Sequence, residues 1–183
     1  LHACGAVPGL HHDRSLVSQL EWPVSFCFRG DVPIVAEDGL SAGGPEAMFA
    51  YPQILLEGDA SVSDEPLGHT DVVVIVSCPN PEVHLGITVV FDRKRKKQML
   101  QRLSQDDTWM WEREGDMQRS TSFVPLETAQ RFAFNTVEDS IVLIPTLYEG
   151  GRTVDLAVSI FCGSANVTAR VSRPHLKLMM ATT

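Results

Sequence analysis

Thr153-Val-Asp-Leu-Ala-Val-Ser-Ile-Phe-Cys162 is the stretch on which the fold turns. Val154, Leu156, Val158 and Ile160 fall on one face of an extended chain, and Asp155, Ala157 and Ser159 on the other. A period of two marks a strand with one buried face, whereas a helix would need apolar residues at i, i+3 and i+4. Val167, Ala169 and Val171 continue the alternation against Asn166, Thr168 and Arg170, and the intervening Gly163-Ser164 predicts a tight hairpin turn. Asp71–Cys78 contains the β-branched run Val72–Val76, long enough for a strand buried on both faces. Further strands are predicted at Ser15–Leu20, Val24–Phe28, Gln53–Glu57, His84–Phe91, Ser120–Pro125, Gln130–Asn135, Ser140–Pro145 and His175–Met180. Pro145 is expected to end its strand, since it cannot donate to a ladder. Only Lys94–Gln105, with Met99, Leu100 and Leu103, carries a short helical stripe. Short strands between turns predict an all-β chain folded as an antiparallel sandwich of approximately eight strands.

The chain has 183 residues, 44% of them hydrophobic, with a formal net charge of −8. Its length suits one domain with a sizeable core. The acidic balance argues against a nucleic-acid partner, which calls for a basic footprint. No apolar stretch nears the ~20 residues of a membrane-spanning helix. Residues 1–40 read as an N-terminal extension or linker with a few strands, and 41–183 as the sandwich. Residues 29–52, rich in Gly, Pro and Asp, read as loop. The sequence starts at Leu1 rather than Met, so it reads as a piece of a longer chain. Cys4, Cys27, Cys78 and Cys162 lack a CxxC spacing and are expected to be buried free thiols of a reducing, intracellular compartment. The Asn166-Val-Thr168 sequon and the Arg29-Gly-Asp31 triplet are short enough to arise by chance.

Several segments in order resemble the calpain family. Ser41-Ala-Gly-Gly44 with Tyr51-Pro-Gln-Ile-Leu-Leu-Glu57 resembles the opening of the calpain C2-like domain, also called domain III. Tyr51 stands where that family has Asn, and Ile54 where it has an aromatic. Leu126-Glu127, Arg131-Phe132-Ala-Phe134, Ser140-Ile-Val-Leu-Ile-Pro145-Thr146 and Asp155–Phe161 resemble a later block of the same domain. His84-Leu-Gly-Ile-Thr-Val-Val90 resembles the strand between. The likeness covers about residues 41–162, with an insertion or divergent loop at 92–119. It implies a calpain-type β-sandwich whose partners are the protease core or sibling domains of the same chain.

The resemblance also implies a role for Glu57, Asp59, Asp64, Glu65 and Asp71, which lie in a segment free of Lys and Arg. The corresponding calpain loop is strongly acidic and linked to Ca²⁺ and phospholipid response. Ca²⁺ wants six to eight oxygens converging from loops, and a solvated polar loop is the alternative for these interrupted acids. Arg93-Lys94-Arg95-Lys96-Lys97 forms a basic run suited to anionic phospholipid or an acidic protein partner. It also suits a solubilising loop. Trp109 and Trp111 flank Met110 in a charged segment, as an aromatic anchor for a membrane or partner, or as packing. Placement on these readings is cytoplasmic, with or without membrane association.

Catalysis is not expected. A papain-like protease needs Cys, His and an orienting Asn or Asp. Cys27 in Ser-Phe-Cys-Phe-Arg lacks the calpain Gln-x-Gly-x-Cys-Trp surroundings, His69 sits in the acidic segment, and no Asn-x-Trp-Gly occurs. The reading is a non-catalytic regulatory or interaction domain of a calpain or calpain-like cysteine protease. A calcium-independent scaffolding sandwich is the alternative.

Overall fold

In a computed structural model, the described residues are 22, 24–33, 51–93, 116–120, 122–148, 153–171 and 177–179. They form β1 (Val24–Pro33), β2 (Ile54–Gly58), β3 (His69–Ser77), β4 (His84–Asp92), β5 (Met117–Arg119), β6 (Val124–Pro125), β7 (Glu127–Asn135), β8 (Ser140–Leu147), β9 (Thr153–Cys162), β10 (Val167–Val171) and β11 (Lys177–Met179). No α-helix occurs among the described residues. Eight strands have five or more residues, while β5, β6 and β11 have two or three. The predicted strand at Ser15–Leu20 and the helical stripe at Lys94–Gln105 lie outside the described residues.

The fold is an all-β sandwich of two antiparallel sheets. One runs β11-β1-β9-β3-β7; the other runs β10-β2-β8-β4-β5, with β6 also paired to β4. The alternation in β9 behaves as its sequence demands: Val154, Leu156, Val158 and Ile160 are buried in the core, and Asp155, Ala157 and Ser159 are half-buried. Its neighbour β3 is buried from Val72 to Ser77 on both faces. Across the sandwich the core closes on Ile54, Leu56, Leu85, Ile87, Ile141 and Leu143. Phe91 of β4 meets Phe132 of β7 edge to face, with ring centroids 5.7 Å apart, which ties one sheet to the other.

Four expectations are corrected. First, Gly163-Ser164 does not close a hairpin. Cys162 pairs with Val24 and Val72 in one sheet, whereas Val167 pairs with Gly58 in the other. The 163–166 segment is therefore an arch between sheets. A Gly-Ser pair permits either reversal, and the buried Asn166 and Val167 draw the chain across. Likewise β11 pairs with β1 rather than returning beside β10.

Second, Pro145 lies inside β8, opposite Ile87. Tyr148 N donates to His84 O at 3.0 Å, so even-numbered residues of β8 point their N–H groups at β4. Position 145 points the opposite way, toward β2, whose pairing with β8 stops at Leu143. The missing donor costs no ladder bond there.

Third, residues 29–33 are strand and not loop, continuing the strand predicted at Val24–Phe28. β1 runs to Pro33 between β9 and β11, and Phe28 is buried in the core. Fourth, Cys27 is disulfide-bonded, against the expectation of a free thiol. Sequence spacing holds no trace of such a pairing. Cys78 and Cys162 are free and buried, as expected.

Two local features explain how consecutive segments change sheets. Leu126 adopts φ 68° between β6, on one sheet, and β7, on the other, and its carbonyl accepts from Cys78 N at 2.9 Å. This left-handed conformation costs a non-glycine residue about 1–2 kcal/mol. Gly86 in β4 leaves room for Phe123, whose ring would stand 2.7 Å from an added Cβ. Ser120 fastens the same segment down, its hydroxyl accepting from Ile87 N at 2.7 Å.

Candidate functional site

Three connections meet at one end of the sandwich: the 59–68 loop after β2, the 136–139 turn after β7, and the 163–166 arch after β9. β7 and β9 both run antiparallel to the β3 between them, so both end where β3 begins, and the loop from β2 arrives there to start β3. The loop and turn are joined by Thr136 N donating to Gly68 O and Gly68 N donating to Thr136 Oγ1, both at 2.9 Å. The loop and arch are joined by Asp59 N donating to Asn166 O at 2.7 Å and by Asn166 Nδ2 donating to Glu65 O. Gly163 N donates to Asp71 O at 2.9 Å, anchoring the arch to β3. Hydrogen-bonded connections of this kind make the rim an ordered surface.

The five acidic candidates lie at this end but do not converge on a common point. Glu57 pairs with Arg170 and accepts from Ser140 Oγ at 3.3 Å. Asp71 pairs with Arg131 at 2.8 Å. Asp59 Oδ1 accepts from Ser61 Oγ at 2.6 Å and Ser61 N at 2.9 Å, and these bonds hold its carboxyl below the usual aspartate value. Glu65 Oε2 accepts from Ala165 N at 3.1 Å. Asp64 is exposed. Among the described residues, no three His, Cys, Asp or Glu side chains are grouped so as to hold a metal ion.

No known family model matches the chain, and no curated protein matches it. The site is therefore read on its chemistry. Its segment lacks Lys and Arg in sequence, yet Arg131 and Arg170 reach it from 60 and 113 residues away. Glu57, Gly58, Asp59, Thr168 and Arg170 line a shallow groove of mixed charge. Both ion pairs are partly exposed, so each contributes about 0–1 kcal/mol, and their effect is to neutralise the local field. Asn166 Oδ1 is buried without a hydrogen-bond partner. Its amide nitrogen is engaged by Glu65 O, so the sequon offers no accessible acceptor in the folded chain. Arg29, in the other short triplet, pairs with Asp155 at 2.8 Å within the five-stranded sheet.

Of the basic run, only Arg93 is described. Its Nε contacts Asp116 Oδ1 at 2.9 Å, and its guanidinium lies 5.2 Å from the Phe91 ring centroid. It is thus held against the sheet by an acid and an aromatic face. Lys94, Arg95, Lys96, Lys97, Trp109 and Trp111 lie outside the described residues. Among the described residues the free thiols, Cys78 and Cys162, are not activated: burial pushes Cys162 up to about 12 and raises Cys78 as well.

Sequence reasoning found the acids but missed the cations that meet them, together with Asn166. Arg131 alternates with Phe132 and Phe134, which are buried, and is itself exposed. Nothing in the sequence named Asp71 as its partner, because register between β3 and β7 is a tertiary property.

Proposed function

We propose that this chain is a non-catalytic interaction sandwich of the calpain C2-like type, acting without calcium as a scaffold between a protease core or sibling domain and its partners. The observation that carries the reading is the pairing of Glu57 with Arg170 and of Asp71 with Arg131. Carboxylates held by arginines and by turn N–H groups resist gathering around one cation. Binding Ca²⁺ would break both pairs and reorganise a hydrogen-bonded rim, which weakens the site that the resemblance implies. The β-sandwich architecture and the ordered likeness over residues 41–162 support the C2-like part of the proposal.

The test is calcium titration of the full chain with thermal unfolding and liposome co-sedimentation as readouts. Scaffolding without calcium is expected to give an unchanged unfolding midpoint and no capture by phosphatidylserine vesicles at ~1 mM Ca²⁺, where weak extracellular-type sites fill. A rise in the midpoint that is lost in Glu57→Gln and Asp71→Asn variants would establish the calcium-responsive reading instead.

A further inference from the structure

We propose that the outer face of the five-stranded sheet is a docking surface for this chain's own residues 1–21, held there by a disulfide between Cys27 and Cys4. In a two-layer sandwich the outward positions of each strand ordinarily face water and are polar. The five-stranded sheet departs from this at its centre. Cys27, Val73 and Ile75 alternate with Phe28, Val72, Val74 and Val76, which fill the core between the sheets, so their side chains point to the opposite face. All three are nevertheless buried, with 6%, 0% and 3% of their surface exposed.

Neighbours within the sheet do not supply that burial. The registers set Cys27, Ser159, Ile75 and Ala129 in one row across β1, β9, β3 and β7. Ser159 and Ala129 are too small to roof over the Ile75 side chain between them. The next row holds Ser25, Phe161, Val73 and Arg131, of which Ser25 and Arg131 are exposed. The face is thus dry at its centre and wet at its margins, the pattern left by a segment laid across it.

Two observations name the segment. Trp22, just ahead of β1, packs its ring on Phe161 of the same face with centroids 6.4 Å apart, so the chain before β1 arrives over this face. Cys27 is disulfide-bonded, while Cys78 and Cys162 are free. Of the four cysteines only Cys4 is left to close that bond. Trp22 and Cys27 therefore hold the two ends of one segment to one face. Reach is ample. Four strands at a spacing of ~4.8 Å span ~14 Å, and the 17 residues between Cys4 and Trp22 can extend beyond ~50 Å. Val7, Leu10, Leu16, Val17 and Leu20 supply the segment with apolar side chains for Val73 and Ile75.

This inference stands apart from the calcium question. A tryptic digest of the unreduced, alkylated full chain is expected to hold residues 1–14 joined to 15–29. Dithiothreitol is expected to part them, each cysteine gaining a proton and an electron as the reagent's two thiols close into a cyclic disulfide. Cover is read by brief trypsin treatment of the native chain. Cutting after Arg14 is expected to quicken at least about tenfold in Cys4→Ser and in Ile75→Glu, with cutting in the 93–97 run unchanged. Cys4→Ser is also expected to unfold roughly 6–12 °C lower. A Cys27 found free, or joined to another molecule, overturns the proposal. Quickened cutting at 93–97 with Arg14 unaffected assigns the cover to another segment and overturns it equally. If Ile75→Glu does not fold, Cys4→Ser decides it by the same cut.

Discussion

Cys162 shows how one atom records its surroundings. It sits in β9 facing the core, fully buried, with its thiol pushed from 9.0 to about 12 by loss of water around the charged form. The folded state thus holds its proton more tightly than the unfolded chain. The resulting stability is complete below pH 9 and is lost as pH climbs from there to about 12. Near pH ~10.5 this single group is expected to cost on the order of 2 kcal/mol. Urea unfolding across pH 7–11 will check it. Cys162→Ala should be less stable at neutral pH because of the cavity, yet show a flatter alkaline slope than the parent.

The glycines at the ends of β2 and β3 separate two kinds of element boundary. Gly58 closes β2 against the turn after β7, where an added Cβ would fall 2.1 Å from the Thr136 carbonyl oxygen, a backbone atom. Gly68 leads into β3 with nothing within 4 Å of an added Cβ. Gly58→Ala is expected to lose about 2–4 kcal/mol through forced displacement of the turn. Gly68→Ala is expected to gain up to about 1 kcal/mol by restricting the unfolded chain. Chemical denaturation of the two variants reads both signs. The strands themselves were largely legible in the sequence, since β3 and β9 announce their burial through β-branched runs and alternation. Connections were not. Gly163-Ser164 has the composition of a hairpin, and only the partners of Cys162 and Val167 reveal an arch. The acidic rim was legible as composition, whereas its neutralisation depended on Arg131 and Arg170 arriving from distant strands.

At the scale of the whole molecule, successive long strands mostly alternate between sheets, so nearly every strand pair joins distant parts of the chain. β9 is the extreme case, lying between β1 and β3 and bonded to both along their length. A chain ended after Leu147 would leave β1 and β3 without that neighbour. It is expected to lose the cooperative unfolding transition and native-like circular dichroism, where removal of an outer strand would leave a weakened fold. Such topologies fold slowly because long loops must close before contacts form. The position of β9 also matters before the protein is finished. Arg29 and Asp155, which pair across β1 and β9, are 126 residues apart. At ~5–20 residues per second, a ribosome needs roughly 6–25 s to make the stretch between them. Through the later part of that interval β3 has emerged but lacks its neighbour along one edge. β7 pairs with the other edge, and only β9 completes the sheet around the Val72–Val76 run.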